Sequence, residues 1–323
     1  MTKQNIAHEA RGTAPRTPPG KKPGWLRVAA GLVTGVALLF VLVVGAVGWV
    51  GSERGMHPAR NVEDHSLSEY AFANSTEDLR FDSLDGTPLA SWLVPGKPKA
   101  ATIILLHGYG RSRAELLPHA DYLHQAGYNV LLLDFRNRGE SGGDAVTTGA
   151  MEPLDVRGAV SYLLTRPDVD PERIAVQGVS MGASSGIMAV ADDPRIAAIV
   201  SESAFTDLRA TIARSFEHFI NLPTFPFAPV TVLIIEQRLG ADADDVRPID
   251  AIGRLGQRPV FIIEDLWDSL MPEDSGRRLY EAASGPKQVW FIEGAGHAEG
   301  FKVQPEEYRR RVLKFYEEYM SGR

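Results

Sequence analysis

The sequence predicts an α/β protein: a doubly wound, mostly parallel sheet with a helical cap insertion, preceded by one membrane-spanning helix. Three observations lead there. From residue 79 onward short apolar runs alternate with segments of helical spacing, the pattern of strand–helix–strand crossovers. One stretch, 205–255, interrupts that alternation and is too long for a simple crossover. Before both, Val28–Val50 runs 23 residues without a charge or a proline. As a helix it would reach roughly 34 Å, enough to cross a bilayer core.

Residues 1–27 carry six cations against Glu9, a net +5. With −7 for the whole chain, the remainder sums to −12. Residues 1–27 read as a basic, disordered cytoplasmic tail and 28–50 as a signal-anchor, with Trp25 and Trp49 near the two interfaces. Cations before the span keep the N-terminus inside and put the rest of the chain outside the cytoplasm. Ala46-Val47-Gly48 could serve a signal peptidase, but the apolar run exceeds the ~7–15 residues of an ordinary signal core, so an uncleaved single-pass anchor is expected. Gly31 and Gly35 form one GxxxG pair, too little by itself to argue a dimer. Residues 51–75 read as a polar linker and 76–323 as the folded domain.

Within that domain Leu79–Asp82 and Leu89–Val94 flank Asp85-Gly86, a hairpin signal. Ala101–Leu106 and Asn129–Asp134 are apolar runs of the kind buried on both faces of a parallel sheet. Between them Ala114–Ala126 has helical spacing and stops at Gly127. Then come a helix over Pro153–Leu164, a strand at Ile174–Gln177, a helix over Gly182–Ala191 and a strand at Ile196–Val200. After the insertion follow a strand at Val260–Ile263, a helix near Gly276–Ala283, a strand at Val289–Ile292 and an amphipathic helix over Pro305–Met320. The insertion contains the uncharged stretch Phe225–Ile235, expected to cap the sheet edge. Phe225, Phe227 and Val230 are its candidate substrate-binding residues.

Composition narrows the chemistry. The chain has no cysteine, which excludes thiolate metal sites and a cysteine nucleophile. Its net negative charge argues against nucleic acid as a partner. HExxH and Walker A are missing, and the glycines at 108–113 fail the dinucleotide fingerprint at the last position, so neither metal nor cofactor is expected.

GxSxG occurs three times, at 139–143, 178–182 and 182–186. A nucleophile elbow needs a strand running into the serine and a helix starting after it. Only Ser180 has both; Ser141 leads into a loop and Ser184 would lie inside the following helix. A serine hydroxyl needs a base, and in this architecture the order is serine, acid, histidine. Of the two histidines after Ser180, His218 lies in the apolar insertion, whereas His297 follows the last strand in Gly294-Ala295-Gly296-His297. The acid should follow the strand at 260–263, where Glu264, Asp265 and Asp268 are all candidates. Oxyanion donors are expected from the Met181 amide and from Tyr109 in His107-Gly108-Tyr109-Gly110, where His107 itself is read as structural.

Taken together, LLHGYG at 105–110, AGYNVLLLDFRNRGESGG at 126–143, GVSMGA at 178–183, PVFIIEDLWDSLMP at 259–272 and GAGH at 294–297 resemble the α/β-hydrolase superfamily. The chain is most similar to its bacterial membrane-anchored serine hydrolases, related to the monoacylglycerol lipase and serine aminopeptidase-like group. The resemblance covers residues 75–323 and implies an α/β-hydrolase fold and hydrolysis of small-molecule or lipid-like esters. It also implies Asp268 as the acid, by spacing back from Pro272, although Glu264-Asp265 stands where relatives carry His-Gly. The same triad serves peptidases and thioesterases, and a membrane-tethered binding protein without catalysis is the reading from outside enzymology.

Overall fold

The computed structural model describes residues 24–60, 65–216, 218, 222–272 and 274–321. The expected tail lies outside them as far as residue 23. The chain divides into two compact units, residues 1–44 and 45–323. Helix α1 (Gly24–Met56) contributes to both and is, among the described residues, the one helix long and apolar enough to cross a membrane.

In the second unit eight strands form one sheet: β1 (Glu77–Asp82), β2 (Pro88–Val94), β3 (Thr102–Leu106), β4 (Asn129–Asp134), β5 (Ile174–Val179), β6 (Ala198–Glu202), β7 (Val260–Asp265) and β8 (Lys287–Ile292). Their spatial order is β1-β2-β4-β3-β5-β6-β7-β8. The β1–β2 hairpin turns at Asp85-Gly86 and pairs antiparallel, as does β2 with β4; every other pairing is parallel. This is the α/β-hydrolase architecture that the resemblance implied. Strands β3 to β6 are buried along their whole length, because helices cover both faces of the sheet. On one face pack α3 (Glu152–Leu163), α4 (Met181–Asp192), α7 (Pro248–Ile252) and α8 (Ser275–Ala282). On the other lie α2 (Leu117–Ala126) and α9 (Pro305–Met320). Between β6 and β7 the insertion supplies α5 (Leu208–Ser215) and α6 (Thr224–Leu239), with a separate small core around Phe205, Leu208, Val232 and Met271.

Two local expectations change. The segment from Ala114 starts as a 3-10 turn, Arg113–Leu116, whose Ala114 N–H is capped by Ser112 Oγ (3.3 Å), and becomes α-helical at Leu117. The expected linker begins later than residue 51, because α1 continues through Ser52, Glu53 and Arg54 to Met56. The extension is held by partners for its last carbonyls, which would otherwise be orphaned. The Tyr109 hydroxyl donates to the Arg54 and Gly55 oxygens (3.2 and 2.9 Å), and the Val146 N–H donates to the Met56 oxygen (2.8 Å).

Candidate active site

The carboxyl ends of β3, β5, β7 and β8 reach the same edge of the parallel sheet, where such folds gather their functional loops. At the end of β5 the chain turns sharply into α4 through Ser180, which has φ 53° and ψ −119°. That strained conformation is held by neighbours: the Ser180 N–H donates to the Glu202 carbonyl (2.9 Å). The turn also needs Gly178 and Gly182. A Cβ on Gly182 would lie 2.1 Å from the Leu106 carbonyl oxygen, and one on Gly178 would lie 2.5 Å from the Gly182 carbonyl carbon.

The structure brings Ser180, His297 and Asp268 together. His297 Nδ1 lies 2.6 Å from Asp268 Oδ2, and His297 Nε2 lies 2.8 Å from Ser180 Oγ. A carboxylate only accepts, so Nδ1 carries the proton and Nε2 accepts from the serine hydroxyl. Burial opposes ionisation of Asp268. His297 and the Leu270 and Met271 amides, which donate to Oδ1 at 2.8 and 3.0 Å, outweigh it and hold the carboxyl below its ordinary value.

The two other candidate acids, Glu264 and Asp265, end strand β7 and are occupied elsewhere. Glu264 accepts from the Gly276 and Arg277 amides at the start of α8 (3.0 and 3.2 Å). Asp265 accepts from the Ser203 hydroxyl (2.8 Å), and Ser203 Oγ in turn accepts the Ala298 N–H beside His297 (3.2 Å). The sequence reading missed Glu202. It is buried, its Oε1 accepts the Gly300 N–H (2.9 Å), and its Oε2 accepts from Tyr308 (2.7 Å). A Cβ on Gly300 would fall 2.8 Å from Glu202 Oε1 and 2.9 Å from Asp265 Oδ1, so the two carboxyl groups share one small space behind the histidine loop. Burial, reinforced by the neighbouring carboxyl group, raises the pKa of Glu202; burial raises that of Asp265 as well. The available signal was the position of Glu202, at the end of the strand next to that of the nucleophile.

The loop after β3 approaches Ser180 closely, for a Cβ on Gly108 would meet Ser180 Cβ at 3.6 Å. Glu115 Oε2 fixes the loop by accepting the Gly108 N–H (2.7 Å). His107 is fully buried; its Nε2 accepts the Phe135 N–H, so its Nδ1 donates to the Gly108 oxygen (3.1 and 2.8 Å). Burial pushes its pKa down to about 4, which keeps it neutral. Among the described residues neither the Tyr109 nor the Met181 amide donates to a protein acceptor. His218 Nδ1 lies 3.5 Å from Ser269 Oγ, and it is His297, not His218, that bonds Ser180 Oγ.

A cavity of about 1410 Å³ contains Ser180, Met181, Tyr109 and His297 in its wall. Its cap side includes Leu208, Ile212, Phe216, Ile235 and Leu239, with Thr211, Ser215 and Thr231 among them. Phe225, Phe227 and Val230 are not part of that wall. Phe225 is 80% exposed, and Val230 packs on the glycine face of α1 instead, 2.9 Å from where a Gly48 Cβ would stand. On α6, Thr231, Ile235 and Leu239 recur every four residues and share one face, and Val230 and Ile234 lie on the next. No group of side chains suited to a metal ion occurs among the described residues.

A nucleophile elbow, a histidine and a carboxyl group at the strand ends of this sheet define a hydrolase of the α/β-hydrolase type. Residues 85–250, just over half of the chain, match the X-Pro dipeptidyl-peptidase (S15) family, and the chain belongs to that family. It is 28% identical over 264 residues to the protein YfhR of Salmonella typhimurium, covering 76% of this chain and 83% of that one. It is 26% identical to the polyketide transferase ATR5 of Stachybotrys chlorohalonatus, over 74% of this chain and 98% of the other. Among solved structures, the Pyrococcus furiosus esterase Pf2001 superposes with a TM-score of 0.68 at 28% identity, covering 82% of this chain and 100% of that chain.

Proposed function

We propose that this chain is a membrane-anchored serine hydrolase that cleaves carboxylic esters through an acyl-enzyme. The reading rests on the continuous hydrogen-bonded line from Asp268 through His297 to Ser180, at 2.6 and 2.8 Å. Ser180 Oγ attacks the ester carbonyl while His297 Nε2 takes its proton, and the Tyr109 and Met181 amides receive the oxyanion. The ester C–O bond then breaks, and His297 gives the proton to the leaving alcohol. Water attacks the acyl-serine with His297 again as base, which frees the acid and restores Ser180. Asp268 holds the tautomer and stabilises the imidazolium.

The apolar cap side of the cavity favours an ester with an acyl chain, as does the likeness to an esterase. The S15 match favours amide hydrolysis by the same triad as the second reading. A fluorophosphonate probe should label the wild type and not Ser180→Ala; labelling that persists in Ser180→Ala and vanishes in Ser141→Ala would overturn the assignment. A panel of esters against X-Pro amides separates the two readings.

The basic tail and the uncharged span support an uncleaved anchor with the hydrolase unit outside the cytoplasm. Protease added to intact spheroplasts should then digest that unit. Full protection would reverse the orientation, and a soluble form starting near Trp49 would show cleavage instead.

A further inference from the structure

The catalytic cavity is walled in part by the anchor itself. Ala46, Val47, Val50 and Gly51 of α1 line the same cavity as Ser180 and His297. The insertion meets this end of α1 closely, because the helix is stripped of side chains where α6 crosses it. A Cβ on Gly48 would stand 2.9 Å from Val230 and 3.1 Å from Ile234, and one on Gly51 would stand 3.3 Å from Thr231. Polar contacts fix the register. Arg238 of α6 bonds Glu53 (2.7 Å) and Ser52 Oγ (3.1 Å), and its guanidinium lies 4.9 Å from the Trp49 ring centre. Gly31, Gly35 and Gly45, by contrast, meet nothing within 4 Å.

Of the seven residues by which α1 lines the cavity, Gly51, Arg54, Gly55 and Met56 follow the uncharged run that ends at Val50 beside Trp49, and Ala46, Val47 and Val50 belong to it. If that run spans a bilayer, those residues stand at its outer boundary, where an indole prefers to be. One wall of the cavity therefore lies at the depth where acyl chains begin. The charged lining residues lie beyond that run: Arg54 is one turn past Val50 on α1, Arg111 and Glu115 follow the oxyanion loop, and Glu299 and Lys302 follow His297. The cavity is also larger than the ~300–1,000 Å³ of ordinary small-molecule sites. An apolar wall continuous with the membrane and a charged rim at the triad fit an amphiphile with its ester at Ser180.

We infer that the substrate is an acyl ester resident in the membrane, whose chain enters along the outer end of α1 and lies between that helix and α6. This rests on the serine-hydrolase and anchor readings above. The chemistry is the same hydrolysis, releasing a long-chain acid and a polar alcohol.

The test uses the full-length protein in phosphatidylcholine vesicles, with p-nitrophenyl palmitate in the bilayer and p-nitrophenyl acetate in the water. Val47→Trp and Val50→Trp should each lower the palmitate-to-acetate rate ratio at least tenfold. Val36→Trp, on the first unit's exposed face, should leave the ratio where it was. An unchanged ratio in both wall variants, or an equal fall in Val36→Trp, overturns the proposal. If the wall variants fail to fold, the wild type still decides. A hexadecyl fluorophosphonate with a terminal diazirine, captured by Ser180 and irradiated, should cross-link within 46–51 or 231–239, and cross-links confined elsewhere overturn it. Acetate hydrolysis that survives Ser180→Ala sinks the serine assignment. A Ser180-dependent acetate reaction with an unchanged ratio sinks only the membrane substrate.

Discussion

The Tyr109 hydroxyl donates to the carbonyl oxygen of Gly55 at 2.9 Å, joining the loop after β3 to the end of α1. The same side chain reaches the Arg54 oxygen at 3.2 Å, so one phenol serves two carbonyls of the last helical turn that have no other partner among the described residues. Arg138, fully buried, reinforces the link by donating to the carbonyls of Pro58, Arg60 and Gly110 at 3.0, 3.2 and 2.8 Å.

Tyr109→Phe removes that donor and keeps the ring and the amide. Losing a hydrogen bond of this kind costs about 1 kcal/mol, equivalent to roughly 2–4 °C in Tm for a unit of this size. The variant should melt lower by that amount and lose a few-fold in kcat, because the amide it carries is held less firmly. A melting curve and a kcat both indistinguishable from wild type would show that the link does nothing.

The second prediction separates the three acids at the end of β7 and in the loop after it. Asp268→Asn should lower kcat by orders of magnitude with little change in folding; the corresponding change in a serine protease costs about 10⁴-fold. Asp265→Asn and Glu264→Gln should cost about tenfold or less, since Asp265 accepts from Ser203 and Glu264 from the start of α8. Near-wild-type activity in Asp268→Asn beside a dead Asp265→Asn would reassign the acid.

The third concerns pH. Burial raises Glu202 and Asp265 above ordinary carboxyl values, so the folded unit holds a proton that the unfolded chain has released. Their contribution to stability is therefore complete below the unfolded values and is lost as pH rises through the folded ones. Tm should fall from about pH 5 upward through neutrality. Glu202→Gln keeps the shape and removes the titration, so its Tm should depend less on pH over that range. A wild-type slope that Glu202→Gln leaves intact would place the proton elsewhere.

The order of strands and helices was legible because each crossover repeats the same contrast between a short apolar run and a helical stripe. Asn129–Asp134 and Pro305–Met320 have the expected bounds. Ser180 stood out from two other GxSxG serines by its strand-to-helix context, and the structure places Ser141 under the hairpin, where its Oγ donates to the Asp134 carbonyl and accepts the Ala90 N–H. The uncharged stretch Phe225–Ile235 has no polar face to give its rotation, so sequence alone could not choose between Phe225, Phe227 and Val230 and the residues that face the cavity, Thr231, Ile235 and Leu239. The same holds for α1: a run of valines, alanines and glycines looks alike whether lipid or protein covers it. Glu202 was missed because the expected strand stopped at Val200, two residues short of the end of β6, and its neighbour Asp265 comes from a strand more than fifty residues away.

The docking of Gly48 and Gly51 against α6 has a practical consequence for handling the protein. A form cut anywhere before Ser66 but after Gly51 would discard the α1 side of the cavity, and one cut after Met56 would also strand the Tyr109 hydroxyl. Rates measured on such a form would describe an altered chamber. A cut at or before Gly45 retains every contact that Gly48, Gly51, Glu53 and Gly55 make, at the cost of an oily stub that calls for detergent.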